Sequence, residues 1–423
     1  MSTTTTTKTD KPQPQPRKPV RQKLSLPVVL LIVAGAVVLV SVVRLITGAD
    51  DITSVGQVSG ALELAIPIGL AGLGGLWAER AGVVNIGLEG MMILGTWFGA
   101  WAGYQWGPWT GVLLGIAGGA LGGLLHAVIT VTFGVNHIVS GVAINILAVG
   151  VTRYLSNFTF LEAEGSKSAR QSPTIDPITD ITVPGLSDAM KTLNGKHWFL
   201  VSDLAGFVGG VVTELSLLTV VALLLVPATW WVLWRTSFGL RLRSCGENPV
   251  AAESLGVNVY RYKYLAVIIS GGFAGLGGVF LAEVASNIYQ EGQTGNRGYI
   301  GLAAMIFGNW MPGGLAMGAG LFGYTDSLNL RSGGTNVHAL LLFMVFVLAL
   351  VALWQLYRKK YVAAVIGAAV SALLLVWYSL TDEVPSQFVT AAPYIATLLV
   401  LALSAQRLRA PKAAGQPYYK GGG

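Results

Sequence analysis

The stretch ERAGVVNIGLEG, residues 79–90, sets Glu79, Arg80, Asn85 and Glu89 between two blocks that are otherwise almost wholly apolar, 60–77 and 88–104. On a soluble protein this would be an ordinary surface turn. Between membrane helices, ionisable groups are costly unless they are paired or wetted. The glycines permit an unwound backbone, and half-helix N-termini facing a cavity would offer N–H groups to a polar solute or to Glu89 itself. A short cytoplasmic turn closed by a Glu79–Arg80 pair is the plainer alternative.

The surroundings are those of a bilayer protein. Of 423 residues, 53% are hydrophobic and 11% charged, against roughly 25% charged in a soluble domain. The apolar residues run in long blocks with no polar face for water. The 55 glycines suit helices that pack closely in lipid. These features predict an all-α, polytopic membrane protein. The net charge of +7 sits at block ends and in the tails rather than along one soluble face, which argues against nucleic acid as a partner. The single cysteine, Cys245, excludes an intrachain disulfide, and no His/Cys/Asp cluster has metal-ligand spacing.

Residues 1–25 combine a Thr run, Pro-Gln alternation and six basic residues, and read as a disordered basic cytoplasmic tail. The block 26–46 is longer than a signal-peptide core and lacks a small-x-small cleavage site, so it reads as a spanning anchor. Further spans are expected at 60–77, 88–104, 109–131, 138–155, 214–234, 264–283, 299–309, 313–328, 338–357, 361–380 and 391–405, twelve segments in all. The pair 299–309 and 313–328 is short and split by Trp310-Met311-Pro312, as in broken or re-entrant helices. Eighteen of the 27 Lys and Arg fall in 1–25, 235–263, 358–360 and 407–423, which the positive-inside rule puts together in the cytoplasm. The segment 156–212 then becomes an extracytoplasmic loop, 26–406 the membrane domain, and 407–423 a second cytoplasmic tail.

An internal repeat crosses this plan. GLAGLGGLWAER (69–80) and GFAGLGGVFLAE (272–283) agree at six of twelve positions, and each is followed by Ile-Gly-Leu with a Met five residues after the Ile. The charge count runs the first copy inward and the second outward, an inverted-topology repeat. Chance likeness among Gly-rich helices is the competing explanation.

The segment 238–263, FGLRLRSCGENPVAAESLGVNVYRYK, predicts a two-turn helix with Asn248 as N-cap, Pro249 in the first turn and Gly256 at the close. A short helix between basic loops suits docking into a partner's groove, through Leu255 and Val257 as apolar contacts and Glu253 as a polar one.

Together with GYIGLAAMIFGNW (298–310), these motifs resemble the permease subunits of bacterial ABC importers of the ribose and branched-chain amino-acid type. Within that superfamily the resemblance is strongest to nucleoside permeases that work with basic-membrane-protein-type lipoprotein receptors. It spans 61–154, 226–330 and, less tightly, 384–418. It implies about ten family-like spans in the bacterial plasma membrane with both termini cytoplasmic. It also implies a second permease subunit, often a different chain, and a substrate-binding lipoprotein outside. A cytoplasmic ATPase, with ATP-Mg on that partner, would dock on the loop that here contains Glu247, Asn248, Pro249, Glu253, Leu255, Gly256 and Val257. Consistent with a divided machine, the chain has no GxxxxGK[ST] phosphate loop and carries no cofactor of its own. The loop 156–212 is longer than the family usual, and 338–380 reads as an added hairpin facing lipid.

For the solute pathway or gate the sequence nominates Asn85, Glu89, Asn145 and Asn309, since uncharged or paired polar groups in spans can hydrogen-bond a sugar or base without a large ionic desolvation cost. An ion-gradient-driven transporter using Glu89 or Glu63 remains an alternative. An intramembrane enzyme would need a nucleophile–base pair or metal-spaced acids, and neither pattern is present.

Overall fold

The computed structural model describes residues 26–385 except 162, 166, 167, 169 and 332, and also 388, 391 and 408–421. The tail 1–25 and, Ala391 apart, the span expected at 391–405 lie outside the described residues.

Fifteen α-helices follow in order among the described residues: α1 (Leu26–Thr47), α2 (Val55–Arg80), α3 (Leu88–Trp106), α4 (Pro108–Ala127), α5 (His137–Thr159), α6 (Leu186–Asn194), α7 (Val201–Val212), α8 (Leu217–Arg235), α9 (Ser237–Glu247), α10 (Pro249–Ser254), α11 (Val259–Phe280), α12 (Arg297–Phe307), α13 (Pro312–Arg331), α14 (Gly333–Tyr357) and α15 (Tyr361–Leu380). A two-residue antiparallel pairing of β1 (Asp180–Ile181) with β2 (Leu215–Ser216) closes the segment between α5 and α8. Local chemistry sets many of the starts. Ser54, Asn136 and Ser216 each accept a first-turn N–H with the side chain, and Pro108, Pro249 and Pro312 open their helices where no N–H is needed.

Seven of the described helical stretches are long and apolar enough to cross a membrane. Helix α3 covers the expected span 88–104 but carries Glu89 in its first turn, and α13 covers 313–328 but carries Asp326 and Arg331. Both are long yet more polar than a lipid-facing span, because they lie against other protein. Helix α12, at 11 residues, is only about 16 Å long and cannot cross a hydrocarbon core of about 30 Å. This is the broken element expected around Trp310.

The repeat organises the centre. Helices α2 and α11 carry the two copies and cross antiparallel. A β-carbon on Gly74 would lie 2.5 Å from the Ser270 carbonyl oxygen, and one on Gly277 would lie 3.0 Å from that of Pro67. The repeat equates Gly74 with Gly277 and Pro67 with Ser270, so the two close approaches exchange under it. The neighbours exchange as well: α12 and α13 pack on α2 as α3 and α4 pack on α11. The sequence echo is therefore a genuine inverted repeat of two three-helix halves. Packing is close where α4 meets α11. There a β-carbon on Gly119 would stand 2.3 Å from the Gly271 carbonyl, so the backbones touch directly.

Helices α6 and α7 lie in the 156–212 segment, and α7 packs on the first turns of α2. One buried ion pair pins this corner: Arg44 Nε stands 2.9 Å from Asp203 Oδ1, while Thr53 Oγ1 donates to the same oxygen at 2.5 Å. Arg44 is 2% exposed and also reaches Asp50 and the carbonyls of His197 and Trp198. Asp203→Ala would leave the guanidinium buried beside only the half-exposed Asp50. Removing one partner of a buried pair costs about 3–5 kcal/mol. Thermal unfolding in detergent should show Tm lowered by about 5 °C or more, and an unchanged Tm would refute the anchoring role.

Helices α14 and α15 form an antiparallel hairpin in which Ser371 donates to the Val345 carbonyl at 3.0 Å. Much of α15 is exposed, with Val362, Val365, Ile366 and Leu373 facing outward.

Candidate transport pathway and docking surface

After α2 ends at Arg80, residues 81–87 turn back along the bundle and α3 starts at Leu88, whose side chain lies against Gly74 and Gly75. On the other half, 286–296 turn back from the end of α11, and α12 starts beside the same place. Gly301 packs on Ile68 and Gly72, near the middle of α2. The N-termini of α3 and α12 therefore meet about halfway through the bundle, each bringing first-turn N–H groups with no partner inside its own helix.

Glu89 answers one of these ends. Its Oε1 accepts from Asn296 N at 3.0 Å and its Oε2 from Gly298 N at 2.7 Å, which places a carboxylate on the positive end of α12. A β-carbon on residue 298 would fall 2.6 Å from the Glu89 Cα, so glycine is required there. Asn145 on α5 answers the other end. Its Oδ1 accepts from Gly90 N at 2.7 Å, and its Nδ2 donates to the Ile86 carbonyl at 3.0 Å and to Tyr299 Oη at 2.7 Å. Asn85 is fully buried: its amide donates to Ser270 Oγ at 2.9 Å, and its Oδ1 accepts from Gly87 N at 3.0 Å.

The structure thus joins Asn85, Glu89 and Asn145 in one bonded junction and sets Asn309 apart from it. Asn309 follows the far end of α12, where its Oδ1 accepts from Arg409 N at 2.7 Å. It begins a sharp break in which Asn309 and Trp310 both have φ of 53°, a conformation that a bulky residue such as Trp adopts only when held. The end of α2 supplies the hold. Arg80 Nε and Nη2 donate to the Trp310 carbonyl at 3.2 and 2.5 Å, and the Trp310 indole donates to Glu79 Oε2 at 2.5 Å. Glu79 and Arg80 therefore bind Trp310 instead of forming the direct pair that the turn reading pictured.

Sequence reasoning passed over three participants. Tyr299 is 39% exposed while its hydroxyl binds Asn145. Trp310 enters the sequence reading as part of the break and as the end of the motif 298–310, with no partner assigned to it. Glu283, in the π-helical turn Leu281–Ala285, is fully buried in the space left by Gly103 and Gly111, and neither carboxylate oxygen has a hydrogen-bond partner among the described residues. The available signal for Glu283 was its repeat position, which equates it with Arg80.

At the end of the bundle near β1 and β2, a cavity of about 380 Å³ is lined by polar groups including Ser59, Glu63, Asp180, Lys191, Ser216 and Thr219. None of the four nominated pathway residues lines it.

At the opposite end, α9 and α10 hold the second nominated set. Asn248 Oδ1 accepts from Ala251 N at 3.0 Å, Pro249 opens α10, and Gly256 takes φ of +80°, so the expected caps all form. The side chains then divide. Leu255 is 85% exposed, and Glu247, Asn248 and Gly256 also face outward. Glu253 instead accepts from Tyr418 Oη, and Val257 packs against the cluster of Cys245, Ala252, Val259 and Tyr418. Leu255, Arg241 and Arg261 line one depression of about 370 Å³, an apolar knob flanked by two cations. Burial pushes the Cys245 thiol up to about 11, which keeps it protonated and unreactive at neutral pH. No group of three or more His, Cys, Asp or Glu able to hold a metal occurs among the described residues.

A membrane bundle of two inverted halves, with helix starts meeting at mid-depth and a short capped helix projecting from one end, defines the permease class of transport subunits. The chain belongs to the family described as branched-chain amino acid transport system, permease component, which it matches over residues 57–353. It is 34% identical over 368 residues to the guanosine ABC transporter permease protein NupQ of Bacillus subtilis, covering 85% of this chain and 95% of the relative. It is 34% identical over 375 residues to the nucleoside ABC transporter permease protein NupC of Lactococcus lactis, covering 86% and 96%. A second guanosine ABC transporter permease protein of B. subtilis, NupP, matches at 23% over 285 residues, covering 64% of this chain and 71% of the relative. No solved structure matches the chain. As a permease component, this chain is a membrane transport subunit, not an enzyme.

Proposed function

We propose that the chain is the permease subunit of a nucleoside importer in the bacterial plasma membrane, with both tails cytoplasmic. The observation that carries this reading is near full-length identity of 34% to two permeases named for guanosine and for nucleosides. ATP-Mg is bound and hydrolysed on a separate ATPase that docks on α10 through Leu255. A second permease subunit completes the pathway. That it is a different chain is supported by the two distinct guanosine permeases, NupQ and NupP, in one bacterium. A substrate-binding lipoprotein delivers the solute outside, where the polar cavity around Glu63 and Asp180 offers hydroxyl and carboxylate partners for a ribose. Surrounding lipid covers the apolar faces of α5 and α15.

The solute passes the mid-depth junction, with Tyr299 and Asn145 at its edge and Glu89 and Asn85 holding the helix starts open to it. Closure of the ATPases moves α10, and the break at 308–311 and the turn 81–87 follow.

Cells expressing the complete transporter, given a panel of tritiated nucleosides, should accumulate at least one of them. ATP depletion should abolish uptake, and a protonophore applied at constant ATP should leave it largely intact. Accumulation that survives ATP loss but collapses with the ionophore would establish the gradient-driven alternative instead.

A further inference from the structure

The segment 408–420 lies across the end of the bundle that carries α10, and within these few residues it touches every element that the proposed mechanism moves. Arg409 N donates to Asn309 Oδ1 at 2.7 Å, at the break after α12. Ala413 N donates to the Gly246 carbonyl at 2.9 Å, on α9. Gly415 N donates to the Gly82 carbonyl at 3.3 Å, in the turn between α2 and α3. Tyr418 is the largest buried side chain of the segment. It is 8% exposed, its hydroxyl binds Glu253 on α10, and its ring packs with Cys245, Ala252 and Val259. Lys263 Nζ stands 5.7 Å from the Tyr418 ring centroid, and Tyr260 Oη donates to the Tyr418 carbonyl at 3.4 Å.

A loose tail would not make this set of contacts. Ordering an extended segment costs about 1–2 kcal/mol per residue in backbone entropy, and here the return is spread over four separate anchor points. The anchors are also the right ones. Asn309 and Gly82 sit in the two non-helical breaks, 308–311 and 81–87, each at the α10 end of the bundle. Gly246 and Glu253 belong to the docking helices. Helix α10 itself is only six residues long and shares few contacts with α2 or α12; its neighbour α9 reaches the turn 81–87 through Gly246, which lies against Arg80 and Gly82, and the segment 408–420 adds the link to the other break at Asn309.

We propose that the segment 408–420 is the transmission strap of this permease: it ties α10 to both breaks so that displacement of the docking helix moves them together, with Tyr418 as the positioning residue that seats the strap on α10. This rests on the reading of α10 as the ATPase-docking helix. Coupling of this kind needs a contiguous element that both sites bias, and the strap supplies one in hydrogen bonds.

The test uses the complete transporter, purified with its ATPase and second permease and reconstituted in liposomes. It measures ATP hydrolysis and uptake of the nucleoside selected by the panel above in the same vesicles. Tyr418→Phe keeps the ring beside Lys263 and removes only the bond to Glu253, whereas Tyr418→Ala removes the seat. The ATPase should co-purify at wild-type stoichiometry with both variants, with hydrolysis within about twofold of wild type. Uptake per ATP hydrolysed should fall about threefold for Tyr418→Phe and about tenfold for Tyr418→Ala. An unchanged uptake per ATP in Tyr418→Ala overturns the proposal. So does loss of the ATPase in parallel with uptake, which would make the strap part of the docking surface alone. Leu255→Lys in the same assay reports on the docking reading separately: if that variant keeps its ATPase and its coupled uptake, the docking role fails whatever Tyr418 does.

Discussion

Replacing Leu255 with Lys should release the ATPase and stop ATP-driven uptake while leaving the permease folded. The side chain is 85% exposed at the end of α10, so the substitution should change stability by less than about 0.5 kcal/mol. At an interface the balance reverses. An apolar anchor that fills a partner's pocket contributes about 2 kcal/mol or more, which is about 30-fold in affinity, and a lysine there must also desolvate an ammonium in an apolar pocket. Leu255→Met should retain function, because an unbranched apolar chain of similar volume still fills such a pocket. The measurement is ATPase co-purification with the detergent-solubilised permease, paired with uptake. Normal values of both in Leu255→Lys would remove α10 from the docking surface. Glu253→Lys is the less informative partner substitution, since Glu253 faces Tyr418 and its loss disturbs the strap as well.

The second large effect should come from Glu89. Its two oxygens accept the Asn296 and Gly298 amides at the start of α12, halfway through the bundle. Glu89→Ala leaves the buried Gly298 N–H without its partner, at about 1–3 kcal/mol, returns the exposed Asn296 N–H to solvent, and removes a carboxylate from a helix N-terminus, up to about 2 kcal/mol more. We expect uptake to fall more than tenfold and the start of α12 to become accessible to hydrogen exchange. Glu89→Gln should lie between Ala and wild type, because its carbonyl can still accept one of the two bonds while its NH2 group opposes the other. A proton-carrying Glu89 predicts a different order, with Gln as inactive as Ala. Wild-type uptake and exchange in Glu89→Ala would rule out the capping role.

The junction also explains why the site was only partly legible in sequence. The cost of Glu89 in an apolar setting marked it, and the glycines around it suggested that helix N-termini would face it; the partner amides lie more than 200 residues away, at Asn296 and Gly298. Asn309 was chosen on the same polar-in-a-span argument, yet it lies past the end of α12 and binds the strap. Spacing along a chain cannot tell which end of an 11-residue half-helix turns toward the centre. The strap was invisible for a related reason. Its residues look like a basic tail, and its own backbone N–H groups hold it in place by donating to the Gly82 and Gly246 carbonyls and to Asn309 Oδ1, which no side-chain pattern in the tail announces.

Sequence by itself determined what depends on composition and period: a helical membrane protein, its principal spans, the break at Trp310 and the capped helix at Asn248–Pro249, while two twelve-residue copies suggested the inverted repeat that the packing then established. These follow from local rules, since burying backbone in lipid forces helices, and Pro, Gly and Asn act on their immediate neighbours. Only the tertiary structure decided what ERAGVVNIGLEG does. Glu79 and Arg80 left their apparent pairing for Trp310, Asn85 locked onto Ser270, and Glu89 became the cap of a helix from the other half of the repeat. Each of these bonds joins a residue of one half of the repeat to a residue of the other, which only the packing of the two halves brings together. Which polar group finds which partner is therefore a property of the packed bundle and not of either segment.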